Sequence, residues 1–190
     1  MYIWIGCRLP QQFEEEIRAA CLENNQAIGL DPVAFSLPQH ISLKISFETE
    51  KPDEILEDLT HFLSHRRPFE VELEGIEQLG NILWMTVGEN ETLTLLHESL
   101  DERMKSRFGI PQHRFDTCFQ FHSTLFLDPD EKKLARMWEA LRDFPLQRKL
   151  KVDSMLLGTV SYGADLTVTG LCENGWVQVL YKGQTAYVSG

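Results

Sequence analysis

Polar and apolar positions alternate strictly along Gln39-His40-Ile41-Ser42-Leu43-Lys44-Ile45-Ser46-Phe47. This is the period-two pattern of a half-buried strand. It places His40, Ser42, Lys44 and Ser46 on one face and anchors the strand through Ile41, Leu43, Ile45 and Phe47. Residues 1–8 are apolar and β-like, and Pro10 opens a helix in which Phe13, Ile17, Ala20 and Cys21 recur at spacings of three and four, ending near Asn24-Asn25. Ile55, Leu56, Leu59, Phe62 and Leu63 predict a helix over 52–65, and 69–79 with 82–87 predict a hairpin around Gly80-Asn81. Residues 93–108 read as helix, 115–127 as strand, 129–144 as helix and 150–157 as strand.

The order strand, helix, strand therefore occurs twice. His40 and His122 begin the two copies, and Val71 and Val152 stand at matching places beyond them. A period of 82 residues is too long for a solenoid and suits a pseudo-symmetric two-lobed domain, with the two equivalent strands brought together at its axis. From about Gly158 the texture changes to glycine turns and short alternating runs, which predict a small all-β appendage. The expected division is a main domain over 1–158 and an appendage over 159–190, with the strand at 150–157 open to sharing between them.

Composition narrows the function. Eighteen basic against 29 acidic residues leave a net charge of −11, which disfavours gripping a long duplex by its phosphates, so any nucleic-acid substrate is short. With 190 residues, 43% of them hydrophobic, the chain can bury a core without staples. Cys7, Cys21, Cys118 and Cys172 are dispersed, form no C-x-x-C pair and read as free thiols. The first residues lack a signal-peptide pattern, and no run approaches the ~18 apolar residues of a membrane helix. A monomeric cytoplasmic protein without membrane contact is the expectation.

Chemistry concentrates in His40-Ile41-Ser42-Leu43 and His122-Ser123-Thr124-Leu125. On a strand, residues i and i+2 share a face, so each copy offers an imidazole beside a hydroxyl. Two histidines are the equipment for cleaving a phosphodiester without a metal: one neutral imidazole takes a proton from the attacking oxygen, and one imidazolium returns a proton to the leaving oxygen. Ser42 and Thr124 would donate hydrogen bonds to the non-bridging phosphate oxygens. His97-Glu98-Ser99-Leu100 fits the same pattern but lies on a helix, where i and i+2 diverge. By alternation Lys44 shares the first motif's face and Gln120 and Phe126 the second's; all three are candidate substrate contacts, Lys44 to phosphate and Phe126 by stacking on a base. His61 and His65 have i, i+4 metal spacing but no third ligand, and with Arg66-Arg67 and His113-Arg114 they read as solvated surface.

The paired His-x-Ser/Thr motifs, each on a strand followed by a helix and another strand, resemble the 2H phosphoesterase superfamily of 2′-5′ RNA ligase-like proteins and cyclic nucleotide phosphodiesterases, over about residues 1–158. That resemblance implies an α+β bilobal fold with antiparallel sheets lining a cleft and helices outside, no cofactor or metal, and His40 and His122 as acid and base in an order the sequence leaves open. The substrate it implies is a small cyclic or 2′-5′-linked nucleotide or a short RNA end. Many members carry a basic residue shortly after the second motif, where this chain has Phe126-Leu127. The alternative is a non-catalytic module that binds a nucleotide or RNA end and docks a protein through its β tail. Leu157-Gly158-Thr159, Thr167-Val168-Thr169-Gly170, Asn174-Gly175-Trp176-Val177 and Ala186-Tyr187-Val188 resemble the latter part of a bacterial Src-homology-3-type domain, which implies a packing or partner-binding role.

Overall fold

The computed structural model describes the backbone of residues 2–64, 66–116, 119–160, 167–171, 176–181 and 184–189, with side chains through residue 158. The elements run β1 (Tyr2–Arg8), α1 (Gln11–Ile28), β2 (His40–Glu48), α2 (Pro52–Leu63), β3 (Phe69–Leu79), β4 (Ile82–Val87), α3 (Glu91–Phe108), β5 (His122–Leu127), α4 (Glu131–Leu141), β6 (Arg148–Val152), β7 (Met155–Val160), β8 (Thr167–Leu171), β9 (Trp176–Tyr181) and β10 (Gln184–Ser189). One antiparallel sheet has the order β2-β1-β7 and a second the order β5-β4-β3-β6, which makes the bilobal α+β domain expected from the duplication; β10-β9-β8 form a third sheet. Phe13, Ile17 and Cys21 of α1, Leu96 and Leu100 of α3 and Leu134 and Met137 of α4 close the core against the sheets.

Several boundaries differ from the sequence pattern for local reasons. Helix α1 runs to Ile28, not Asn24-Asn25: Asn24 bonds back to the Ala20 carbonyl, and the Asn25 amide closes on both backbone groups of Leu30 around the left-handed Gly29. Asn90 and Asp130 cap α3 and α4 with their side chains, and α4 is shorter at both ends than the 129–144 pattern. Strand β5 starts at His122 and not at 115; residues 113–116 instead form a turn whose Asp116 carboxylate accepts the His113 N–H. The 150–157 run is two strands: β6 pairs with β3 in one lobe, and β7 pairs with β1 in the other. Residues 153–154 thus carry the chain between lobes, and β7 spans the 158/159 division.

The decisive departure lies within the two histidine strands. Ser42 opposes Gly6 and Lys44 opposes Ile5, leaving Leu43 as an extra residue; Thr124 opposes Trp84 and Phe126 opposes Leu83, leaving Leu125. Each strand therefore bulges at the same place, and two successive residues turn inward. Burial agrees, for His40 to Lys44 and His122 to Phe126 share one pattern: half-buried, buried, half-buried, buried, buried. Lys44 and Phe126 are not on the faces that alternation assigns them. Phe126 packs edge-on to Phe35 in the core.

Lys44 enters the core as an ion. Its ammonium lies 2.6 Å from Asp101 of α3 and 2.5 Å from Asp116. His97 completes the cluster, with Nδ1 2.7 Å from the Leu43 carbonyl and Nε2 3.1 Å from the Asp116 carbonyl. Both ring nitrogens thus face backbone carbonyls, which fixes the imidazole between β2 and the turn at 113–116. His97, Asp101 and Asp116 have the composition of a metal site, but the lysine ammonium already serves both carboxylates. Lys44→Met is expected to cost about 3–5 kcal/mol in urea denaturation, because it strands two buried carboxylates without their cation; a change under 1 kcal/mol would show that the cluster is not a stabilising pairing.

Candidate functional site

The bulges leave His40, Ser42, His122 and Thr124 outside the core, each half-buried. His40 and His122 are the first residues of β2 and β5, and each is locked by the carbonyl two residues upstream: His40 Nδ1 bonds Pro38 O at 2.8 Å, and His122 Nδ1 bonds Gln120 O at 2.7 Å. Because a carbonyl only accepts, Nδ1 carries the proton in both rings and Nε2 is the atom left for chemistry. The backbone of Gln120, not its exposed side chain, makes that contact.

An indole flanks each imidazole. Trp4 stacks on His40 at 4.1 Å and 23°, and Trp84 lies 4.3 Å from His122 at 38°. Glycines open the space for the first pair: a Cβ on Gly6 would lie 2.9 Å from the Ile41 carbonyl and 3.1 Å from the His40 ring, and a Cβ on Gly158 would fall within the Trp4 indole. Burial lowers the pKa of both histidines below the usual imidazole range, while the bonds to Pro38 and Gln120 oppose the shift. At His40 the charge of His122 lowers it further and the Glu14 carboxylate raises it, so the two imidazoles sense each other across the lobes. A direct bond joins the motifs as well: buried Ser123 donates through Oγ to Oε1 of buried Gln39 at 3.0 Å.

Of the residues singled out in the sequence, His40, Ser42, His122 and Thr124 lie on the faces expected of them, whereas Lys44 and Phe126 are withdrawn from substrate by the bulges. His97 is a structural histidine of α3, His61 is exposed on α2, and His65 and Cys118 with Cys172 fall outside the described residues. Cys7 and Cys21 are free and buried, and burial pushes both thiols up to about 12. Sequence reasoning missed Trp4, Trp84 and Gln39; Gly6 two positions after Trp4 was the available signal for the first, and nothing local marks the others. Gly158→Ala must displace Trp4 and is expected to cost about 1–3 kcal/mol in urea denaturation while moving the His40 ring resonances; unchanged stability and resonances would refute the packing role.

Residues 9–161 match the family model of the 2'-5' RNA ligase superfamily, and residues 151–190 match that of the bacterial SH3 domain. Among solved structures, Escherichia coli LigT complexed with 3'-AMP is 16% identical with a TM-score of 0.57, over 98% of this chain and 92% of that chain. The apo form of the same protein gives 17% identity and a TM-score of 0.59 over the same shares. A protein of Thermus thermophilus is 19% identical with a TM-score of 0.55, over 99% of this chain and 94% of that one. No curated protein matches the chain by sequence. At these identities the structures share the fold, and the match over residues 9–161 places the chain in the 2'-5' RNA ligase superfamily.

Proposed function

We propose that the protein is a phosphodiesterase that opens a small cyclic or 2′-5′-linked nucleotide, using His40 and His122 as the acid and base and Ser42 and Thr124 to hold the phosphate. The observation that carries this reading is the matched pair of imidazoles, each with Nδ1 committed to a carbonyl and Nε2 left over. An Nε2 lone pair accepts the proton of the attacking water as its oxygen bonds to phosphorus. The P–O bond to the departing ribose oxygen breaks, and that oxygen takes the proton from Nε2–H of the other ring. Water is added across the bond, and the two histidines end with exchanged protonation states that solvent resets. The Ser42 and Thr124 hydroxyls donate to the non-bridging oxygens, where charge grows in the transition state.

Support comes from the family and from the fold neighbour, whose solved complexes contain 3'-AMP and phosphate. In this reading the reacting phosphate is served by two imidazoles and two hydroxyls, so no metal is required. We further propose that residues 1–158 carry the reaction and that the 159–190 segment docks a protein partner, as its match to the bacterial SH3 domain suggests. No helix among the described residues is long and apolar enough to cross a membrane.

With 2′,3′-cyclic nucleotides as substrates, kcat/KM is expected to be bell-shaped in pH with its maximum below 6.5, because burial depresses both histidines from that ordinary value. Lowering the pKa of the base extends activity to lower pH, and lowering that of the acid removes it earlier as pH rises. EDTA should leave the rate unchanged, while His40→Ala and His122→Ala should each lower kcat by about 10²–10⁴-fold. Loss of activity in EDTA, or a full rate in either variant, would overturn the mechanism; nucleotide binding without turnover would favour a binding module.

A further inference from the structure

The site needs anion recognition beyond two neutral hydroxyls, and the cation that the sequence offers for it, Lys44, is spent in the core. A different cation stands in its place. Arg8 is directly opposite His40 in the β1–β2 ladder, so the two side chains leave the sheet on the same side, with Cβ atoms ~5 Å apart. Alternation along β1 puts Trp4 and Gly6 on that side too, and the Trp4–His40 stack shows that this is the side of the catalytic imidazole. The register gives the cleft-facing positions of the histidine strands and their partners. Besides the two histidines they hold Trp4, Gly6, Ser42, Trp84, Thr86 and Thr124, all uncharged, so among the described residues at these positions Arg8 carries the fixed positive charge, with the Glu14 carboxylate of α1 behind it and within reach of His40.

Its donors are under-used. The Arg8 side chain is 39% exposed, yet its Nε is enclosed and has no hydrogen-bond partner. Its ion-pair contact, Nη2 to Glu14 Oε2, is 3.8 Å, too long for a hydrogen bond, while the other Glu14 oxygen accepts from Arg18 at 3.2 Å. The exposed end of the guanidinium, held by Glu14 at 3.8 Å, is open to a phosphate oxyanion, which its planar fork matches. The opposite wing of the cleft has the reverse charge: Glu77, exposed, is directly opposite Trp84 on β3. A substrate with two phosphates is therefore favoured in one orientation, its second phosphate toward β1.

We propose that Arg8 is a specificity-determining residue that forms a second anion subsite beside the reacting phosphodiester, selecting small nucleotides that carry a further phosphate monoester. This rests on the phosphodiesterase reading above and extends it to the substrate's far end. The fold neighbour's complexes with ATP and NADP+ show that ligands with several phosphates are compatible with this architecture.

The test compares adenosine 2′,3′-cyclic phosphate with the same nucleotide bearing a 5′-phosphate. Wild-type protein is expected to prefer the 5′-phosphorylated substrate by about tenfold in kcat/KM, mainly through KM, the size of one charge-assisted hydrogen bond. Arg8→Gln should bring that ratio close to one, and Arg8→Lys should restore part of it. A merely structural Arg8 would lower both substrates together and leave the ratio intact, which would overturn the proposal, as would the absence of any preference in the wild type. Calorimetric titration with adenosine 2′-monophosphate and adenosine 2′,5′-bisphosphate separates the two levels of the argument. Equal affinity for both ligands defeats the Arg8 subsite alone, whereas no binding of either defeats the nucleotide phosphodiesterase reading and the subsite with it.

Discussion

The constraint on which the rest of this structure depends is the bulge that follows each His-x-Ser/Thr motif. A regular strand would continue to alternate, setting Lys44 and Phe126 beside the hydroxyls of Ser42 and Thr124. By inserting Leu43 and Leu125 without a partner, the chain turns two consecutive side chains inward and gives each strand a double anchor just past its functional pair. The imidazoles themselves lie at strand starts, each tied to the carbonyl two residues before it. Each motif is thus held upstream by a backbone bond and downstream by core burial, so the histidine and hydroxyl between them have little freedom to drift.

The two anchors differ in chemistry although they occupy equivalent places. Phe126 is a hydrophobic anchor against Phe35. Lys44 is an ionic one, joined to Asp101 of α3 and to Asp116, six residues before His122. A buried ion pair is not favoured over a well-packed apolar pair of the same size, so stability alone does not account for it. Its geometry does something an apolar anchor could not: it ties the strand of one motif to the segment leading into the other. The Gln39–Ser123 bond makes the same connection from the neighbouring residues. The Lys44–Asp116 and Gln39–Ser123 contacts thus both join the segment of the first motif to the second motif or its approach.

The electrostatics of the cleft follow from that arrangement. Burial lowers both histidines below the usual imidazole range, and the charge of His122 lowers His40 further; in the proposed reaction such a pair would supply one base and one acid. With Lys44 withdrawn, fixed positive charge reaches this surface from β1 through Arg8, while β3 presents Glu77. The net charge of −11 is thus compatible with the proposed phosphate chemistry on one small ligand, which the uneven charge between β1 and β3 would orient.

The amino-acid sequence by itself determined the duplicated order of elements, the two histidine strands, the hydroxyl beside each imidazole and the hairpin at Gly80-Asn81, because period, turn residues and i, i+2 spacing are local properties. It also determined the apolar faces of α1 and α2, which the core bears out through Ile17 and Leu59, while Leu56 stays exposed. Tertiary structure decided the rest. Whether a strand bulges depends on what its neighbour offers, so the fates of Lys44 and Phe126 could not be read from alternation, and neither could the split of residues 150–157 between two sheets. The partners of Lys44 lie more than fifty residues away along the chain, and the pairing of Arg8 with His40 exists only in the register of β1 against β2. Local spacing names the candidate groups; the ladder between strands decides which charges stand beside them.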